Sequence, residues 1–191
     1  MVLMNSRHAG VVKSPQLYET PAVATEALLR AEQLPDRLWE PAAGRGAMVR
    51  VLRAAGHRVL STDLHDFRSA DVDQVGVNFL RPQRGVPKVG AVVTNPPFSH
   101  AQEFVNMAML YTPMCCMLLR LSFLESESRH RWFQEAGLDR VHIFSNRLPM
   151  MHRDGWKGKK ASSNVCHAWF VFRRGYRDAP KINWIMWRES C

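Results

Sequence analysis

Along this chain, stretches whose apolar residues recur every three or four positions take turns with short runs that are apolar almost throughout. From Thr20-Pro21 onward, Val23, Ala27, Leu28 and Ala31 return at helical spacing. That predicts a helix to about Ala31, with Thr20 as its cap and Pro21 at its first position. Arg37 to Glu40 reads as a buried strand, stopped by Pro41 and a loop of small residues. Met48 to Ala55 carries Val49, Leu52 and Ala55 on one face with Gly56 just past its end, the mark of a helix and its stop. Arg58 to Asp63 predicts a second strand and Val75 to Leu80 a short third. Val89 to Thr94 is a nearly unbroken β-branched run, as expected of a strand buried on both faces, and two prolines end it at Asn95-Pro96-Pro97-Phe98. A helix over His100 to Tyr111, a strand over Cys115 to Leu121 and a helix over Ser126 to Ala136 follow. Strands over Val141 to Ser145 and Val165 to Arg173 complete the series.

Alternation of this kind implies a mainly parallel sheet with helices on both faces. Ligands of such sheets sit at the carboxyl ends of the strands, near the point where strand order reverses. Glu40, Asp63 and Asn95 end three different strands, so one crevice can gather them. The first 16 residues have no period and read as a flexible arm, and residues 17–191 read as one domain with a basic loop at about 150–163.

Composition narrows the partners. Apolar residues make up 46% of the 191 and charged ones 23%, the balance of a folded globular chain rather than a disordered one. The 26 Lys and Arg against 17 Asp and Glu leave a formal charge of +9, which favours a polyanion such as nucleic acid. No stretch has the apolar length of a membrane span or a signal peptide, so a membrane role is not expected. Cys115, Cys116, Cys166 and Cys191 have no metal-ligand spacing; they read as small hydrophobes of a reducing, cytoplasmic compartment, and no metal is expected.

Two segments carry chemistry. Glu40-Pro41-Ala42-Ala43-Gly44-Arg45-Gly46 places two glycines between a strand and a helix, where backbone can approach a ligand closely. The third glycine of a dinucleotide fingerprint is absent, Val49 standing in its place. Glu40 would repel a phosphate there, while Asp63 can hold ribose hydroxyls with charge-assisted hydrogen bonds. A cofactor with a ribose and no phosphate suits that pair. In Asn95-Pro96-Pro97-Phe98 the prolines fix the backbone so that the Asn95 amide oxygen and the Pro96 carbonyl can converge on one spot beside the ring of Phe98. Two acceptors and an aromatic face suit a planar amine. Gripping both N–H groups favours a pyramidal nitrogen, and positioning then supplies much of the acceleration without a strong base.

With these motifs the chain, from about Tyr18 to Arg174, resembles the class I S-adenosylmethionine-dependent methyltransferases of the N6-adenine type. The resemblance implies a Rossmann-like methyltransferase fold: a mainly parallel seven-stranded sheet, helices on both faces, the last strand antiparallel. It implies S-adenosylmethionine as cofactor, with the loop through Pro41, Ala42, Gly44 and Gly46 wrapping it, Asp63 at its ribose and Leu64 among its contacts. Tyr18, Thr20 and Pro21 of Tyr18-Glu19-Thr20-Pro21 would lie beside its methionine part, and Asn78-Phe79-Leu80 beside its adenine. Many members have Asp where this chain has Asn78, whose oxygen can accept from the adenine amine without the charge. Asn95, Pro96, Pro97 and Phe98 would form the amine site, with Asn95 also touching the cofactor.

The implied substrate is the N6 amine of adenine in nucleic acid, DNA ahead of RNA, flipped out or single-stranded, with Phe98 as its stacking partner. Only about 20 residues separate the last two expected strands, too few for a recognition domain, so short or relaxed sequence selectivity, or a protein partner or second copy, is expected. Arg153, Trp156, Lys157, Lys159 and Lys160 in the basic loop can bind phosphates and stack on a displaced base, or be a solvated loop. Arg45, Arg129, His130, Arg131 and Arg147 are further candidate backbone contacts, and His167 reads as structural. Two other readings stay open: methylation of RNA adenine or of a protein glutamine amide, where relatives usually have Tyr at the place of Phe98, and a degenerate binding subunit without activity.

Overall fold

Val92 and Val93 are neighbours on one strand and therefore point to opposite sides of its sheet, and both are fully buried. The sheet around them is covered on both faces. The computed structural model describes residues 19–150 and 165–188. The strands in chain order are β1 (Arg37–Glu40), β2 (Arg58–Asp63), β3 (Gln74–Val75), β4 (Ala91–Thr94), β5 (Met114–Arg120), β6 (Leu138–Phe144), β7 (His167–Arg173) and β8 (Lys181–Ile185). The helices are α1 (Ala22–Ala31), α2 (Ala47–Ala54), α3 (Ala101–Tyr111) and α4 (His130–Glu135).

All eight strands join one sheet in the order β3-β2-β1-β4-β5-β7-β6-β8. Among the described strands β7 alone runs against its neighbours, β5 and β6; the other pairs are parallel. The two faces carry separate cores. α1 and α2 bring Ala24, Leu28, Val49 and Leu52 onto Leu38, Val93, Cys116 and Trp169. α3 brings Phe104, Val105 and Ala108 onto Trp39, Val92, Cys115 and Phe170, with Trp132 and Phe133 of α4 packed alongside. Strand order reverses between β1 and β4, which opens a crevice at their carboxyl ends.

The expected fold class is the observed one, and the differences are local. An eighth strand, β8, follows the seven expected and pairs with β6 in parallel. Its Ile182 and Trp184 are exposed, so it lacks the buried alternation by which the others are legible. The third strand covers two residues instead of Val75 to Leu80. Gly76 takes a left-handed φ of 74°, and Asn78 accepts the Leu80 N–H at 3.0 Å to close a turn. Ser126 to Ala136 is split between a 3-10 turn at Glu127–Arg129 and the six residues of α4. Thr20 does not cap α1: Pro21 precedes the helix with ψ 137°, and the Thr20 hydroxyl is engaged elsewhere. The arm expected over residues 1–16 and nearly all of the basic loop lie outside the described residues. No helix among the described residues is long and apolar enough to cross a membrane.

Candidate active site

The crevice between β1 and β4 holds a pocket of about 950 Å³. The glycine loop, the ends of β2 and β4, the turn around Asn78 and the tip of β5 all contribute to its wall.

The loop leaves β1 at Glu40, whose side chain is only 1% exposed. Its Oε1 accepts the Ala42 N–H at 3.1 Å and the hydroxyl of Thr94 on the neighbouring strand. Burial pushes this carboxyl up to about 8, and nearby Asp63 adds to the rise against the pull of those two donors. Asp63 is 6% exposed, and its two oxygens accept backbone N–H groups from Gly44 at 2.8 Å and His65 at 2.7 Å. A carboxylate has about four acceptor sites, so each oxygen keeps a lone pair for a hydroxyl. Gly44 takes φ 56°, which turns its N–H onto Asp63.

Gly46 has a different task from the cofactor contact expected of it. It precedes α2 with φ 79°, is absent from the pocket wall, and a Cβ there would stand 2.4 Å from the Cβ of Asp71. Arg50 clamps the arrangement by donating to Asp71 at 2.6 Å and to the Arg45 carbonyl at 2.9 Å. The missing side chain makes room for the protein itself.

Asn95 follows β4 directly. Its Nδ2 donates to the Thr20 hydroxyl at 3.0 Å, while its Oδ1 is buried and has no hydrogen-bond partner among the described residues. A buried orphan acceptor costs roughly 1–3 kcal/mol unless something pairs with it, so a ligand donor is the natural complement. Pro97 (φ −54°, ψ 121°) leads into a 3-10 turn at Phe98–His100, and its carbonyl accepts the His100 N–H at 2.9 Å. Phe98 is half-buried at the pocket wall. The guanidinium carbon of Arg120 lies 4.6 Å from its ring centroid, and the imidazole of His167 lies 5.8 Å away at 40°.

Thr20, Glu40, Pro41, Ala42, Gly44, Asp63, Leu64, Asn78, Phe79, Asn95, Pro96, Pro97 and Phe98 thus all line one pocket. Gly46 and Pro21 do not, because one faces Asp71 and the other leads into α1. Asn78 accepts the Leu80 N–H with its side-chain oxygen, which keeps one further lone pair for the cofactor amine expected there. Phe79 is chiefly a core residue, 3% exposed and edge-on to Trp39 at 4.9 Å. Tyr18, Arg153, Trp156, Lys157, Lys159 and Lys160 lie outside the described residues. Arg129 is occupied within its own turn: it donates to the Phe123 carbonyl at 3.0 Å and stacks on that ring.

Sequence reasoning missed Thr94 and Arg120, and read His167 as a scaffold residue. Each sits at or near the carboxyl-end rim of the sheet, so a polar residue at a strand end was the available signal. Cys115 and Cys116 are fully buried on opposite sides of β5, and burial pushes both thiols well above their ordinary value, which leaves them inert.

No protein-family model and no curated protein matches the chain. Solved structures do. A Pyrococcus horikoshii protein assigned as an RNA methyltransferase aligns over 84% of this chain and 91% of its own, with TM-score 0.60 and 17% identity. A modification subunit assigned to a type I restriction enzyme of Vibrio vulnificus aligns over 92% of this chain, but this chain spans 48% of that one (TM-score 0.59, 13% identity). The 23S rRNA methyltransferase ErmE aligns over 80% of this chain and 68% of its own (TM-score 0.53, 17% identity). At such identities the likeness shows the fold, a Rossmann-like methyltransferase fold.

Proposed function

We propose that this chain transfers a methyl group from S-adenosylmethionine to the N6 amine of adenine in nucleic acid, with DNA as the preferred substrate. The observation that carries this reading is the buried Asn95 Oδ1, an acceptor without a donor, fixed in direction by the Thr20 hydroxyl beside an aromatic ring.

The residues present fit the cofactor. A pocket of about 950 Å³ lies within the range of roughly 300–1,000 Å³ usual for small-molecule sites. Asp63 would take the ribose hydroxyls through its remaining lone pairs, a cationic ligand would favour the charged form of Glu40 over the neutral form that burial otherwise imposes, and Leu64 would flank the adenine. The Asn78 oxygen, which accepts the Leu80 N–H through one lone pair, would offer its second to the adenine amine, and its Nδ2 would donate to a ring nitrogen. When bound, S-adenosylmethionine supplies an electrophilic sulfonium methyl. The protein's part is to present the nucleophile. Asn95 Oδ1 accepts one N–H of the target amine and the Pro96 carbonyl accepts the other, which favours a pyramidal nitrogen and localises its lone pair. Phe98 stacks on the base and sets its plane. As the N–C bond forms the amine proton becomes acidic and passes to water, so no strong base is needed.

The basic balance of the chain, +9 overall, favours a nucleobase over a protein amide. RNA is the second reading, favoured by the fold likeness to two proteins named as RNA methyltransferases. Tritiated S-adenosylmethionine offered with duplex DNA, single-stranded DNA, RNA and protein tests the substrate class. Label in DNA adenine supports the proposal; label in RNA moves it to the second reading; label in protein alone overturns it. Retained cofactor binding with no label anywhere would identify a binding subunit instead. In parallel, Asn95→Ala is expected to abolish methylation while leaving cofactor affinity by calorimetry nearly intact. Unchanged turnover would refute the role given to Asn95.

A further inference from the structure

β5 overruns its neighbour. Thr94, the last residue of β4, pairs with Met117, so Leu118, Leu119 and Arg120 continue past the point where Asn95-Pro96-Pro97 turns the other strand aside. Arg120 stands at the tip of this overhang, directly opposite His167 on β7. Opposed residues of an antiparallel pair share a face of the sheet, and both of these reach Phe98. Among the described residues, no hydrogen bond or ion pair holds the Arg120 guanidinium; its contact is the ring face itself. It also belongs to the pocket wall. An exposed cation without a carboxylate partner therefore covers an aromatic surface beside an orphan acceptor.

We propose that Arg120 is a positioning residue that changes places with the target base. Its guanidinium covers the face of Phe98 on which the base stacks, and moves to a phosphate beside the target nucleotide when the base arrives. The inference rests on the reading of Asn95 and Phe98 as the amine site. One ring face accommodates a planar cation or a planar base, not both, so the two compete for Phe98. A guanidinium released from the ring presents a planar fork of donors that matches phosphate geometry. Arg120 thus opposes a bare base and assists a base that carries its phosphates.

Two ligands separate these opposite effects, each titrated by calorimetry with S-adenosylhomocysteine saturating. Adenosine has the base without phosphate, and a short single-stranded DNA with one adenine has both. Arg120→Ala is expected to bind adenosine about twofold to fivefold more tightly. It is expected to bind the DNA about fivefold more weakly, with the salt slope reduced by about one. Arg120→Lys keeps the charge without the planar face, so its DNA salt slope should match the parent while adenosine still binds more tightly. Thermal unfolding checks that both variants fold, which an exposed strand-end position favours. Affinities that shift in the same direction for both ligands, or in neither, overturn the inference. An amine-site reading that fails shows itself separately, as methylation that survives Asn95→Ala.

Discussion

The side chains of Thr20 and Asn95, 75 positions apart in the chain, meet at 3.0 Å, the hydroxyl accepting from the amide nitrogen. This bond orients the amide: with Nδ2 tied to the segment before α1, Oδ1 is left as a buried acceptor without a partner among the described residues, on a residue of the pocket wall. Thr20→Val removes the acceptor and keeps the shape. Because a misplacement of about 1 Å near the chemistry can cost on the order of a hundredfold, kcat should fall about tenfold to a hundredfold. Cofactor affinity should change far less, and Thr20→Ser should restore most of the rate. Steady-state kinetics on the three proteins check this.

The titration of Glu40 gives a pH dependence with a definite sign. Its carboxyl titrates near 8 in the fold against an ordinary value of 4.5, so between those values the folded chain holds the extra proton. Its contribution to stability is full below about pH 4.5, declines as pH rises by up to about 1.4 kcal/mol per unit, and levels off above 8. Glu40→Gln removes that slope. Denaturant unfolding of both proteins between pH 5 and 9 should show the parent losing stability relative to the variant as pH rises; parallel curves would contradict the buried, neutral carboxyl.

The two glycines of the loop should fail in different ways. Gly46→Ala faces a left-handed backbone costing about 1–2 kcal/mol and a Cβ in the space held by Asp71. A lower Tm is expected, with cofactor affinity per folded molecule little altered. Gly44→Ala carries the same backbone cost at φ 56° and in addition adds a side chain at the pocket wall, next to the N–H that orders Asp63. Calorimetry should register that change as weaker cofactor binding.

The lysines of the basic loop make a prediction that stands on sequence alone. Each phosphate contact contributes about −0.9 to the slope of log affinity against log salt on duplex DNA. Replacing Lys157, Lys159 and Lys160 together with Ala should therefore weaken DNA binding and flatten that slope by up to about three. Binding measured across salt concentrations tests it, and an unaltered slope would make the loop a bystander.

Where local chemistry decides, the sequence is readable. Arg37–Glu40 and Arg58–Asp63 are legible to the residue, since Pro41 closes the first and an apolar run ending in a carboxylate defines the second. Asn95-Pro96-Pro97 declares a strand end because its prolines cannot continue a ladder. What stays hidden depends on partners brought in by the fold. Nothing adjacent to Thr20 indicates that its hydroxyl serves Asn95 rather than α1, nor that Thr94 serves Glu40. Gly44 and Gly46 look equivalent in the loop, and only the arrival of Asp71 gives the second a packing role. β8 escapes for a related reason: its apolar Ile182 and Trp184 face outward, so no buried pattern announces it.

Adjacent Cys115 and Cys116 divide between the two cores, the first beneath α3 and the second beneath α1 and α2, each fully buried. The protein thus carries a native reporter for each side of its sheet. An opening that lifts α3 exposes one sulfur to an alkylating reagent, and an opening that lifts α1 or α2 exposes the other. Site-resolved labelling rates would then tell whether the two faces breathe together or separately.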